Sequence, residues 1–447
     1  MSQLVTHICK RTVVSTKPVQ PGKYYQLSVL DQVMEQNHIR IVYYYGYRAA
    51  MEAGETIKKL RESLAEMLTW FPMATGRLQR NVKGDWMIKC NDAGVRMIEA
   101  RAKGSVEEWL RSVDGEKELE LVHWEDINYH KPYFWSPFYV QVTEFEQGGL
   151  AIGLSCTHFL VDLTCATMFI KAWADTTLTG DMLTPPVFHE LPPRRPGNMS
   201  PAHKPYTDLI NHYKSCVDQS NPATDKKYAT IALSFTDTMV QACIDMAQAQ
   251  GASPSPFEAL AGLFWVSLSN LKRAGHGLID MSIGLDMRKV LGLDKGFFGN
   301  CMVYNKVHAN PVPFKDNKLS GAAKAIGEVV AKMDNEGIMD LIEWLELNNN
   351  RSYPMNGCDL NCVSLEGLDP YSACFEQVFE PVRVSYYIEP VYGVGQVLIL
   401  PSAPGEGPLS RVVLITLLED DLNKVYGDKD IQQFSPSILM GMESSQH

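Results

Sequence analysis

Apolar positions along the chain switch repeatedly between a strand-like and a helix-like period. Ile39–Tyr47 is β-branched and aromatic and predicts a strand. Ile57, Leu60, Leu64, Met67, Leu68 and Phe71 fall at offsets 0, 3, 7, 10, 11 and 14, one face of an amphipathic helix closed by Pro72. Trp86–Lys89 and Val95–Glu99 predict short strands around the turn Asn91-Asp92-Ala93-Gly94. Phe138–Phe145 and Leu150–Cys156 flank Gln147-Gly148-Gly149 and predict a hairpin, and Leu163–Asp175 reads as a helix.

The pattern breaks between Pro185 and Pro205, where seven prolines predict an extended connector. Beyond it the mixed pattern resumes. Thr230–Phe235, Ser282–Leu285, Val384–Ile388, Val397–Leu400 and Val412–Leu418 predict strands, whereas Thr238–Gln250 and Phe257–Leu271 predict helices. The expected organisation is α/β: a first domain over residues 1–184, a crossover over 185–222, and a second domain over 223–447.

Composition narrows the function. The 447 residues carry 41 Lys+Arg against 52 Asp+Glu, a net charge of −11, with no basic stripe, which argues against a nucleic-acid partner. The start MSQLVTHICKRTVV lacks the apolar core of a secretory signal, and no stretch reaches the roughly 20 apolar residues needed to span a bilayer. Ten cysteines at irregular spacings suit a reducing compartment, with most acting as small core residues. Cys358 and Cys362 match neither a zinc nor a redox spacing. Together these features predict a cytoplasmic monomer without a bound metal.

The strongest candidate for chemistry is His158-Phe159-Leu160-Val161-Asp162, directly after an apolar strand and before a helix. A histidine at a strand end can take a proton near neutral pH and so activate a hydroxyl or amine. The bland alternative is a hydrogen-bonded core histidine with Asp162 as a helix N-cap. Spacing does not decide, because His276 and Asp280 repeat it, although His276 sits between glycines in a stretch that reads as an exposed turn. Gly393-Val394-Gly395 precedes a strand instead of joining strand to helix, so it is no dinucleotide fingerprint, and no P-loop, G-x-S-x-G or H-E-x-x-H occurs.

Several further motifs stand in order along nearly the whole chain. Phe71-Pro72-Met73-Ala74-Thr75-Gly76-Arg77-Leu78, Cys90-Asn91-Asp92-Ala93-Gly94-Val95 with Glu99-Ala100, Ser255-Pro256-Phe257-Glu258-Ala259-Leu260 with Trp265, and Phe297-Phe298-Gly299-Asn300 resemble those of the plant BAHD acyltransferases. The resemblance implies two domains built like chloramphenicol acetyltransferase and joined by a long crossover loop. It implies acyl-CoA as co-substrate and a small-molecule acceptor, with His158 as general base and Asp162 in a structural role.

Departures from the family pattern matter as much. The usual H-x-x-x-D-G ends in Leu163, and the hallmark D-F-G-W-G is replaced by Cys374-Phe375-Glu376-Gln377-Val378. Asp286-Met287-Arg288-Lys289-Val290 keeps one of two family arginines. Removing the hallmark Asp and its arginine together avoids leaving either charge buried and unpaired, and leaves Arg288 as the expected partner of Asp162. The degraded hallmark resembles the Eceriferum/Glossy branch, associated with very-long-chain fatty acids and cuticular wax. Two functions follow from these resemblances. One is acyl transfer to a plant metabolite, such as a sterol-like or fatty alcohol. The other is a non-catalytic partner of a membrane fatty acid elongase, which would bring the chain to the endoplasmic reticulum surface.

Overall fold

The computed structural model describes residues 4–20, 22–46, 54–192, 207–218, 227–248, 253–272, 278–308, 318–348, 360–377 and 379–441. The chain forms two compact units, and neither is continuous in sequence. The first is Met1–His189 with Asp294–Asn300 and Asp369–Glu389; the second holds Glu190–Leu293, Cys301–Leu368 and Pro390–His447. The division at the Pro-rich connector therefore needs amending, because two later segments return to the first unit. A helix, Thr207–Asp218, also lies within the stretch assigned to the crossover.

The first unit is built on a six-stranded sheet. Its spatial order is Val5–Val13, Val95–Ala102, Phe138–Phe145, Leu150–Thr157, His38–Tyr45 and Arg383–Glu389. Only the Val95–Ala102 and Phe138–Phe145 pair is parallel. The predicted hairpin forms, and Gly148 and Gly149 turn it with φ of 106° and 98°, a region that side chains disfavour. His38–Tyr45 is covered along most of its length, so its run of apolar and aromatic residues marks a central strand. The strand ends before Gly46, and Tyr47 falls outside the described residues.

Helix Glu55–Met67 buries Ile57, Leu60, Leu64 and Met67, and its last turn tightens into a 3-10 segment, Leu68–Trp70, ahead of Pro72. It packs on helix Leu163–Thr179, where the Trp173 indole donates to the Leu60 carbonyl at 3.0 Å and to Ser63 Oγ at 3.2 Å.

The strand Arg383–Glu389 comes from far along the chain and is held by a buried carboxylate. Glu118 accepts from Tyr44 (2.8 Å), Arg383 (2.6 Å) and Ser385 (3.0 Å), and also from the Tyr387 hydroxyl. Residues 383, 385 and 387 alternate onto one face of that strand, so a single buried anion fixes its register. The segment replacing the family hallmark packs just before it. Phe375 meets the rings of Tyr45 and Trp173 edge-on at 5.7 and 5.0 Å, and Phe379 stacks on Tyr45 at 5.9 Å. Apolar packing occupies this part of the unit.

The second unit carries a seven-stranded sheet in the order Met302–Val307, Met281–Asp286, Leu360–Ser364, Gly395–Pro401, Arg411–Leu418, Tyr228–Phe235 and Ser437–Met440. Helix Pro256–Leu271 opens with a capping box between Ser255 and Glu258 and is buried on every side from Ala259 to Ser269, where its residues are mostly apolar. It packs on helices Asp237–Ala247 and Lys318–Lys332. Six of the described cysteines are buried, in keeping with a packing role. Cys358 and His276 lie outside the described residues.

Candidate active site

His158 follows the last residue of strand Leu150–Thr157, and its backbone N–H donates to the Asn37 carbonyl at 3.0 Å. The side chain is fully buried. Its Nδ1 lies 3.0 Å from Asn300 Oδ1, while Nε2 meets no hydrogen-bond partner among the described residues.

The orientation of Asn300 settles which nitrogen carries the proton. Asn300 Nδ2 donates to Asp31 Oδ1 at 2.7 Å and to the His158 carbonyl at 2.8 Å, both of which can only accept from it. Its Oδ1 must then face the imidazole and accept from Nδ1–H. Nε2 is left as the bare lone pair, the form a general base requires. Burial lowers the His158 pKa from 6.5; the charge of Asp162 and the Asn300 bond act in the opposite direction, favouring the imidazolium.

Asp31 completes this chain of contacts. It is N3 of the short helix Val29–Gln32, in a reciprocal capping box with Ser28, whose N–H donates to Asp31 Oδ2 at 2.7 Å. The Asn300 backbone N–H donates to Asp31 Oδ1 at 3.2 Å. Full burial raises the Asp31 pKa to about 6, against the pull of its donors toward the ionised form.

Asn300 is held in place by the segment before it. Phe298 N–H donates to the Val187 carbonyl at 2.9 Å, Tyr25 Oη donates to the Phe298 carbonyl at 3.2 Å, and the Phe298 ring packs edge-on against Phe71. Gly299 N–H donates to Cys165 Sγ at 3.2 Å, and Cys165 N–H in turn donates to Asp162 Oδ1 at 3.0 Å. Asp162 is the N-cap of helix Leu163–Thr179, as the bland reading expected, and it also biases the charge of His158.

Arg288 lies in the second unit, where its Nη1 donates to Asp286 Oδ2 and its backbone N–H to Asp286 Oδ1, each at 2.8 Å. A second buried histidine, His212, serves as a contrast. Neither of its ring nitrogens has a partner among the described residues, and burial first, then Lys306 and His308, push its pKa down to about 4. Nothing selects its tautomer.

Asn300 and Asp31 were not assigned site roles from sequence. Asn300 stood within a quoted motif, and Ser28-x-x-Asp31 is a readable capping box, but 269 residues separate Asp31 from Asn300. Among the described residues no group of three His, Cys, Asp or Glu side chains could hold a metal ion.

Comparison with known proteins adds relatives to this geometry. The model of a family described as "Transferase family" matches residues 3–430. Protein ECERIFERUM 26 of Arabidopsis thaliana is 27% identical over 93% of this chain and 92% of its own length. Rosmarinate synthase of Plectranthus scutellarioides is 28% identical over 79% of this chain and 83% of its own. The crystal structure of vinorine synthase superposes with a TM-score of 0.72 at 18% identity, covering 98% of this chain and all of that one, and so shares the fold.

Proposed function

The chain belongs to the Transferase family, the BAHD acyltransferases, and from that premise we propose that it moves an acyl group from a CoA thioester to the hydroxyl or amine of a small acceptor, with His158 as base. The observation that carries this reading is the bare Nε2 of a fully buried imidazole whose other nitrogen is tied to Asn300. A buried acceptor atom left unmade costs about 1–3 kcal/mol, and a substrate hydroxyl supplies the missing donor.

The step balances as follows. Nε2 takes the acceptor proton while the acceptor oxygen attacks the thioester carbonyl, and the tetrahedral intermediate collapses by breaking the C–S bond. The imidazolium then returns the proton to the departing CoA sulfur. Asn300 keeps Nδ1 protonated throughout, and the negative charges of Asp31, through Asn300, and of Asp162 stabilise the transient cation. We assign Arg288 to Asp162 as a supporting pair. A double-mutant cycle of Asp162→Ala and Arg288→Ala should give a coupling of about 1–3 kcal/mol, and additive effects would remove that assignment.

The acceptor assigned is a lipophilic alcohol, sterol-like or a fatty alcohol, on the resemblance of the chain to the Eceriferum/Glossy branch. A second reading, a non-catalytic partner of a fatty acid elongase in wax synthesis, is favoured by the apolar packing of Phe375 and Phe379 where the family hallmark stood. Acyl-chain and metabolite profiles of plant cells expressing wild type or His158→Ala separate the two. A product made only by wild type supports transfer and identifies the acceptor; equal chain lengthening by both supports the partner reading.

A further inference from the structure

The proline-rich connector begins inside the first unit, where residues 185–189 run beside the segment that carries Asn300. That segment, Asp294–Asn300, stands in sequence between residues of the second unit and forms neither helix nor strand of its own. No ladder of its own therefore fixes the backbone of Phe298–Asn300, and neighbouring groups must do so.

The sequence prepares the connector for that task. Pro186 favours an extended backbone at Pro185, and Val187 then forms a parallel bridge with Phe297. The Val187 N–H donates to the Gly296 carbonyl at 2.7 Å, and the Val187 carbonyl accepts from the Phe298 N–H at 2.9 Å. Successive side chains of an extended chain point to opposite sides, so Val187 stands 37% exposed while Phe188 turns inward. The close approach requires Gly296. A Cβ there would lie 2.4 Å from the Pro185 carbonyl oxygen and 3.2 Å from Val187 Cγ2.

Phe188 supports the segment in two ways. Its ring packs edge-on against Phe298 at 5.7 Å. It also packs edge-on at 6.0 Å from Tyr25, whose Oη donates to the Phe298 carbonyl at 3.2 Å. Phe71 closes the group, 6.4 Å from Phe188 and 5.1 Å from Phe298. Phe298 is thus held at its N–H, its carbonyl and its ring. Two residues on, the short Asn300 side chain reaches His158 Nδ1 at 3.0 Å, so a displaced backbone carries Oδ1 out of hydrogen-bond range.

We propose that Val187 and Phe188, at the start of the connector, are positioning residues for proton transfer: clamped on Gly296, they fix the backbone of Phe298–Asn300 and so hold the Asn300 amide on His158. The effect of this clamp on turnover rests on the transferase reading; its effect on the imidazole does not.

Nitrogen-15 spectra of the full chain, labelled in histidine, test the clamp. At pH 8, long-range proton–nitrogen correlations distinguish an imidazole protonated at Nδ1 from one protonated at Nε2, and the His158 signals are those absent from His158→Gln. Wild type is expected to show the Nδ1–H form alone. Phe188→Ala and Gly296→Ala disturb the bridge from opposite sides, and each should shift His158 towards the Nε2–H form, as Asn300→Ala does. Phe188→Leu keeps bulk at this half-buried position and should shift it less, which supplies a measurable variant where Phe188→Ala folds poorly. In steady-state kinetics, Phe188→Ala should lower kcat about tenfold with KM nearly unchanged. Burial lowers the His158 pKa and the Asn300 bond opposes it, so the acid limb of kcat should move to lower pH. On the Asn300→Ala background, Phe188→Ala should cost less than about twofold more, because its effect passes through Asn300. A wild-type His158 protonated at Nε2, an Nδ1–H form kept by every folded variant, or losses that multiply with that of Asn300→Ala would overturn the assignment. A shifted tautomer in a chain that turns over no acyl-CoA would sustain the clamp and refute the transferase reading instead.

Discussion

Asn300 is the residue through which the account of His158 is most exposed to test. Asn300→Ala removes the acceptor of Nδ1–H and one donor to Asp31, but leaves the backbone N–H of residue 300 on the Asp31 carboxylate. A buried donor left unpaired costs about 1–3 kcal/mol, and that is the preference by which the structure selects the Nε2-bare tautomer. At about 1.4 kcal/mol per decade of rate, kcat should fall about 10- to 100-fold, with KM nearly unchanged because Asn300 acts through His158. The pH profile supplies a readout that loss of stability would not imitate. The Asn300 bond raises the His158 pKa, so the acid limb of kcat should move to lower pH in the variant. Steady-state kinetics from pH 5 to 8, with thermal melting to confirm the fold, measures both effects. A variant within twofold of wild type and with an unmoved limb would refute the tautomer argument.

Other outcomes follow from the same contacts. Glu118→Ala should cost about 3–5 kcal/mol of stability, because it leaves the Arg383 guanidinium buried without its anion. Urea unfolding measures this loss, and adding Arg383→Met should recover part of it. Asp31 contributes in an unusual direction. Its folded pKa of about 6 exceeds the ordinary 3.8, so the native state binds the extra proton between these values and stability falls as pH rises through that window. Asp31→Asn should flatten that slope, as seen by comparing urea midpoints at pH 4.5 and 7 with those of wild type. His158 carries the opposite sign: its lowered pKa means that the unfolded state gains the proton first, so stability is lost as pH falls below 6.5, and His158→Gln should remove that contribution.

Much of the sheet was legible because its strands are short apolar runs bounded by turn residues. Phe138–Phe145 and Trp86–Lys89 carry the predicted bounds. The first edge strand, Val5–Val13, escaped detection because it buries only its two end residues. Edge strands show little of the alternation that marks a half-buried one. The helices Lys318–Lys332 and Asn335–Leu347 were also unread, although both show buried apolar stripes once the structure is known. Connectivity was the larger gap. The return of 294–300 and 369–389 to the first unit depends on pairings such as Val384 with Tyr43, which no local pattern encodes.

The site divides in the same way. His158 stood out by its place between strand and helix, and the N-cap role of Asp162 was open to local reasoning. Asn300 and Asp31 became visible only as contacts across 142 and 269 residues. The pairing of Arg288 with Asp286 is local, between residues two apart.

The central claim is that His158 Nε2 takes the acceptor proton during transfer from a CoA thioester. Release of free CoA thiol by the purified chain, given an acyl-CoA and an alcohol acceptor, tests it directly when wild type and His158→Ala are compared at equal folded concentration. Loss of a general base predicts a fall in kcat of about 10²- to 10⁴-fold in protein that still unfolds cooperatively. Equal thiol release by the two proteins, dependent on acceptor in both, would contradict the claim.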